Sequence, residues 1–126
     1  DTSGEMVQAC QERVDKARLG NVEVMRCEEY DFPVEAGVAD GLFISVTPHH
    51  PEDRVRFPSA AKEMLTPGGW CLIVEWQKAE TESGPPHQVR ITTGELRQIA
   101  KDSGFRFQSS LNLNSDYFVA TLINRR

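Results

Sequence analysis

Two adjacent imidazoles, His49 and His50, stand between Thr47-Pro48 and Pro51-Glu52-Asp53. Imidazole titrates near neutrality, so either ring can take a proton from an acidic acceptor, and either can equally cap a turn before Pro51. A metal loop fits less well, because neighbouring histidines project in different directions and no third ligand has the spacing of a zinc site. Cys10, Cys27 and Cys71 are odd in number and far apart, which excludes a disulfide framework and a paired-cysteine metal site. They read as free thiols of a reducing compartment, with Cys71 a core residue inside Trp70-Cys71-Leu72-Ile73-Val74. Asp1, Glu28 and Glu29 are acidic residues at element ends, either solvated or able to accept hydrogen bonds from a polar ligand. Ser45 is a small filler or a polar contact at the end of a strand. Glu75, Trp76, His87 and Arg90 sit at or beyond another strand end, where they can line a pocket, although Trp76 also suits packing.

The 126 residues make one domain's length, and 39% hydrophobic content supplies enough apolar surface for a core without a metal or disulfide. Fourteen basic residues against nineteen acidic ones leave a net charge of −5, which argues against nucleic acid or an anionic membrane as partner. No stretch approaches a membrane span, and the start of the chain lacks the layout of a signal peptide. The expected setting is the cytoplasm, and the expected ligands are small molecules or protein.

The elements that must position these residues follow from periodicity. Thr2 followed by Glu5 has the spacing of a helix cap, and Met6, Cys10, Val14 and Ala17 form an apolar stripe that predicts a helix to about Arg18. Val22–Met25 is a short β-branched strand. Leu42–Val46 is a near-continuous apolar run, as in a strand covered on both faces. A second helix carries Phe57, Ala60, Ala61, Met64 and Leu65 inward, with Pro58 in its first turn. Thr66-Pro67-Gly68-Gly69 stops it, and Trp70–Trp76 is another buried strand. The polar stretch Gln77–Arg90 is a loop. Thr92 and Glu95 repeat the capping spacing ahead of a helix that ends at Gly104. Phe105–Leu111 and Tyr117–Ile123 flank a five-residue polar connection, the pattern of an antiparallel hairpin. The order α-β-β-α-β-α-β-β predicts a layered α/β fold.

Taken in order, Asp1-x-Ser3-x-Glu5-Met6, Asn21-Val22-Glu23-Val24, Asp40-x4-Ser45-x3-His49-His50 and Leu65-Thr66-Pro67-Gly68-Gly69 resemble the class I S-adenosylmethionine-dependent methyltransferases. Within them the chain is most similar to the small-molecule group that includes the quinone-biosynthesis C-methyltransferases. The resemblance implies a Rossmann-like α/β fold truncated at the N-terminus, with a mostly parallel sheet flanked by helices and an antiparallel C-terminal hairpin. It implies S-adenosylmethionine as cofactor and a small-molecule methyl acceptor as partner. By the same resemblance Asp1, with Thr2 beside it, meets the ribose hydroxyls, Glu28 and Glu29 meet the adenine, and Ser45 meets the methionine end. His50 or His49 falls on the acceptor side as the candidate base.

The chain departs from that family at its glycine-rich turn, since no Gly-x-Gly occurs anywhere in it. By the resemblance, strand one, the first helix and most of strand two precede Asp1, and residues 1–126 are a single incomplete domain. Such a chain is expected to bind cofactor weakly or not at all alone and to seek a second copy or a complementing N-terminal segment. The other function class open to it is a non-catalytic methyltransferase-like interaction module or partner subunit.

Overall fold

The computed structural model describes residues 1–45, 54–79, 84–87 and 90–125. They divide into two compact units, 1–34 and 35–126.

The first unit is built around α1 (Gly4–Lys16). Its cap is Ser3 rather than Thr2: the Ser3 hydroxyl accepts from the Met6 N–H at 3.3 Å, and the Asp1 carboxylate accepts the Ser3 N–H at 2.8 Å. The capping pair predicted at Thr2 is thus displaced by one residue, because Asp1 folds over Ser3 in a local side-chain turn. Of the predicted apolar stripe only Val14 is buried, and Met6 stays exposed. Val22–Met25, predicted as a strand, forms none. Only one residue pairs alongside it: the Asp1 N–H donates to Met25 O at 3.2 Å, and the Cys27 N–H donates to Asp1 O at 2.9 Å. These two bonds bracket Arg26 as in a parallel ladder, and a ladder needs more than one paired residue to continue.

The second unit is a four-stranded sheet in the order β1-β2-β4-β3, made of β1 (Ala39–Ser45), β2 (Leu65–Trp76), β3 (Phe105–Asn112) and β4 (Tyr117–Asn124). Two helices belong to it, α2 (Arg56–Lys62) and α3 (Thr93–Asp102). β1 runs parallel to β2, and the β3–β4 hairpin places β4 antiparallel to β2, so the sheet is mixed. α2 ends earlier than predicted. Leu65, expected on its inner side, instead pairs with Ala39 as the first residue of β2. The Thr66-Pro67-Gly68-Gly69 turn then bulges within the strand, with Gly68 at φ +80°. The buried Asn124 amide donates to the carbonyls of Leu65 and Thr66 at 3.3 and 3.0 Å, which ties down the bulge from β4.

Alternation explains the core. Cys71 and Ile73 of β2 and Phe118, Ala120 and Leu122 of β4 point to one face, where Leu96 and Ala100 of α3 meet them with Ile91 and Phe105. The other face, predicted to be covered as well, keeps Phe43 65% and Trp70 43% exposed. An apolar run on both faces needs a covering layer on each, and α3 supplies one.

Gly41 and Trp70 are ladder partners, and the indole lies so close over the glycine that an added Cβ would fall 2.1 Å from the ring. Gly41→Ala is expected to lower the unfolding free energy by about 1–3 kcal/mol in urea titration, as overpacking does. Pairing it with Trp70→Leu should remove most of that loss.

Candidate functional site

The two backbone bonds of Asp1 set the geometry of the first unit. They set Asp1 opposite Arg26, two residues before Glu28, on neighbouring extended segments whose spacing in a ladder is about 4.8 Å. One oxygen of the Asp1 carboxylate accepts the Ser3 N–H, and an ionised carboxylate has capacity for further donors. Glu28 is exposed, and its N–H donates to Asp31 O at 3.1 Å, which turns the chain there. Glu29 follows in the same bend, and Thr2 is exposed at the mouth of α1. Two carboxylates therefore stand on adjacent segments.

In the second unit Ser45 is exposed at the carboxyl end of β1, directly across from Val74. Val74 in turn pairs with Val119, and the next pair on that face is Trp76 with Tyr117. The two rings stand 4.5 Å apart at 45°. Among the residues that sequence reasoning placed at this strand end, Arg90 is 6% exposed. Its Nε donates to Pro85 O at 2.9 Å, and one terminal nitrogen donates to Gln77 O at 3.2 Å and Ala79 O at 3.0 Å. Its guanidinium carbon lies 5.0 Å from the Trp76 ring centroid. Gly84, at φ +105°, completes the enclosure, since a Cβ there would sit 2.9 Å from the Trp76 ring. Glu75 is buried on the opposite side of β2, facing away from Trp76, and His87 is exposed. His49 and His50 lie outside the described residues, as does Val46. Tyr117 is the residue that sequence reasoning missed; its register opposite Trp76 depends on the hairpin length, which residue types alone do not specify.

The start of α3 adds a charged junction. Thr92 and Glu95 form the predicted reciprocal cap, each side chain accepting the other's N–H at 3.0 and 3.1 Å. The same carboxylate takes Arg54 at 3.2 Å and Lys78 at 3.7 Å. The Thr92 N–H, assisted by Lys78 and Arg54 and opposed by partial burial, holds the Glu95 carboxyl below its ordinary 4.5. Cys71, in the core, is pushed up to about 12 by burial, so it is no nucleophile. Among the described residues no three His, Cys, Asp or Glu side chains converge as a metal-holding group, and no helix is long and apolar enough to cross a membrane.

A family model for a methyltransferase domain matches residues 1–73, a span that includes Asp1, Glu28 and Ser45. A SAM-dependent methyltransferase from Aquifex aeolicus superposes with a TM-score of 0.90 at 28% identity, over 98% of this chain and 66% of that one. A putative type 11 methyltransferase from Sulfolobus solfataricus superposes with a TM-score of 0.78 at 19% identity, over 100% and 69%. The 1,6-didemethyltoxoflavin-N1-methyltransferase of Burkholderia thailandensis, solved with 1,6-didemethyltoxoflavin and S-adenosylhomocysteine, gives 0.71 at 19% identity over 92% and 56%. The chain thus spans about two thirds or less of the length of two of these proteins and slightly more of the third. No curated protein sequence matches it.

Glu95→Gln keeps the helix cap but removes the charge, so it isolates the ionic part of the junction. Because the fold lowers this carboxyl's pKa, the stability due to its charge is complete above the ordinary 4.5 and is lost as pH falls through the lower folded value. Urea titrations should therefore show wild type ahead of Glu95→Gln by less than about 1 kcal/mol at pH 7, the scale of a partly exposed pair, with the difference shrinking as pH falls below 4.5. Thr92→Ala should cost about 1 kcal/mol through the cap itself. Iodoacetamide at pH 8 is expected to label exposed Cys10 in the folded chain and Cys71 only after unfolding, read by peptide mass.

Proposed function

Since the chain belongs to the methyltransferase domain family, we propose that it serves S-adenosylmethionine-dependent methyl transfer to a small-molecule acceptor. One observation carries the reading: the backbone bonds from Asp1 to Met25 and Cys27 set two carboxylates on adjacent segments. Those donor-hungry groups fit a nucleoside, whose sugar hydroxyls and amino group are donors in need of acceptors. Asp1 takes the ribose hydroxyls, with Thr2 beside it, Glu28 takes the adenine amino group, and Glu29 lies along the same turn. Ser45 serves the methionine end from the carboxyl end of β1, the end at which doubly wound sheets hold their ligands. The Aquifex and Burkholderia proteins, described by their SAM dependence and bound S-adenosylhomocysteine, support the choice of cofactor.

S-adenosylmethionine supplies an electrophilic methyl group on a sulfonium. The chain's task is to hold donor and acceptor in line and to exclude water, which is enough for a large share of the rate. The acceptor's proton, where one must leave, goes to His50 or His49 as general base. In this reading residues 1–126 work as part of one cytoplasmic domain, with a second copy or a complementing segment as protein partner.

Titration of the 126-residue chain with S-adenosylhomocysteine, followed by amide NMR, tests the reading. Saturable shifts are expected at Cys27 and Glu28, with a dissociation constant weaker than about 1 μM because no glycine-rich turn is present. Asp1→Ala should weaken binding about 5- to 150-fold, the equivalent of losing roughly 1–3 kcal/mol of hydrogen bonding. Saturable binding that ignores Asp1→Ala would overturn the site. No binding at all would leave the reading to a longer protein, with this chain a fragment of it or a non-catalytic interaction module.

A further inference from the structure

Ladder partners share a face, so Ser45, Val74 and Val119 form one row across three strands of the sheet, and Trp76 and Tyr117 begin the next row toward the carboxyl end of β2. From strand spacing and rise, Trp76 stands about 8 Å and Tyr117 about 12 Å from Ser45, measured along the backbone. The two valines and two aromatics are half-buried, in contrast to the sealed core residues on the opposite face. Trp76 is also held in one orientation. Arg90 has its donors on the carbonyls of Gln77, Ala79 and Pro85 and its guanidinium carbon over the indole, 5.0 Å from the ring centroid, while Gly84 leaves room for the ring. A buried arginine that gathers three main-chain carbonyls ties Gln77, Ala79 and Pro85 together beside this pair. A rigid aromatic pair with an apolar row beside it favours a flat ring system over a flexible or strongly polar ligand.

We propose that Trp76 and Tyr117 are the stacking surface for the methyl acceptor, that the acceptor is a planar aromatic compound, and that Arg90 is a positioning residue that fixes Trp76. The inference rests on the methyltransferase reading, because Ser45 marks the methyl-donor end only within it.

Trp70→Phe leaves Trp76 as the single tryptophan of the chain, which carries two. 7-Hydroxycoumarin, a planar phenol that accepts energy from tryptophan, is the probe. Saturable sensitised emission is expected, with Tyr117→Phe close to the parent and Tyr117→Ala at least about tenfold weaker, a difference of about 1.4 kcal/mol. Arg90→Gln should weaken the probe similarly while S-adenosylhomocysteine still shifts the Cys27 and Glu28 amides, a split that general loss of structure would not produce. Cyclohexanol, apolar but not flat, should fail to displace the probe. Absence of saturable transfer, displacement by cyclohexanol, or equal binding by Tyr117→Phe and Tyr117→Ala would each overturn the proposal. Arg90→Gln is checked by circular dichroism, and if it unfolds, the Tyr117 pair decides the outcome. If the coumarin binds as expected while S-adenosylhomocysteine moves no amide, it is the methyltransferase reading that fails.

Discussion

The antiparallel pairing of β2 with β4 is the constraint on which the second unit depends. Seven consecutive partners, from Trp70 opposite Ile123 to Trp76 opposite Tyr117, lock the register. Slipping β4 by one residue would turn Phe118 and Leu122 out of the core and Tyr117, Val119, Thr121 and Ile123 in, so the alternation itself penalises that register. The same register carries the core on one face and brings the half-buried valines and aromatics together on the other. β1 then inherits its position by parallel pairing to β2, and with it Ser45 arrives opposite Val74. Stability and ligand geometry are thus two sides of a single ladder.

Local signals were legible in the sequence. The Thr92–Glu95 cap, the Gly104 stop and the hairpin around Asn112–Asp116 each rest on residues within a few positions of one another, and each appears in the fold. What failed to read through was what depends on distant partners. Val22–Met25 has the composition of a strand, but pairing beyond Asp1 decides whether a strand exists. Leu65 has the apolar character of a helix face, yet Ala39 claims it for the sheet. Trp70 looked buried because apolar runs usually are, whereas its ring rests over Gly41 and remains partly wet.

The candidate carboxylates and Ser45 were picked out in the sequence by ordered motifs rather than by geometry. The role of Arg90 was not, because nothing in a polar fourteen-residue stretch announces that its one arginine turns inward. The second signal, read in retrospect, is Gly84-Pro85. The glycine has a positive φ and stands where a side chain would strike Trp76, and the proline offers the carbonyl that Arg90 takes. A glycine and a buried cation on either side of one indole form a unit that only the folded chain makes visible.

Glu95 caps α3 and also meets Arg54, ahead of α2, and Lys78, just beyond β2. One carboxylate with three obligations cannot be apportioned among them. Taking away Arg54 would leave more of the anion's charge to Lys78 and to the helix, so single substitutions at these positions will not sum. A thermodynamic cycle over Arg54 and Lys78 would have a coupling energy whose sign states whether the two cations compete for the carboxylate or cooperate through it. Through that shared anion, a displacement of Arg54 is felt at Lys78.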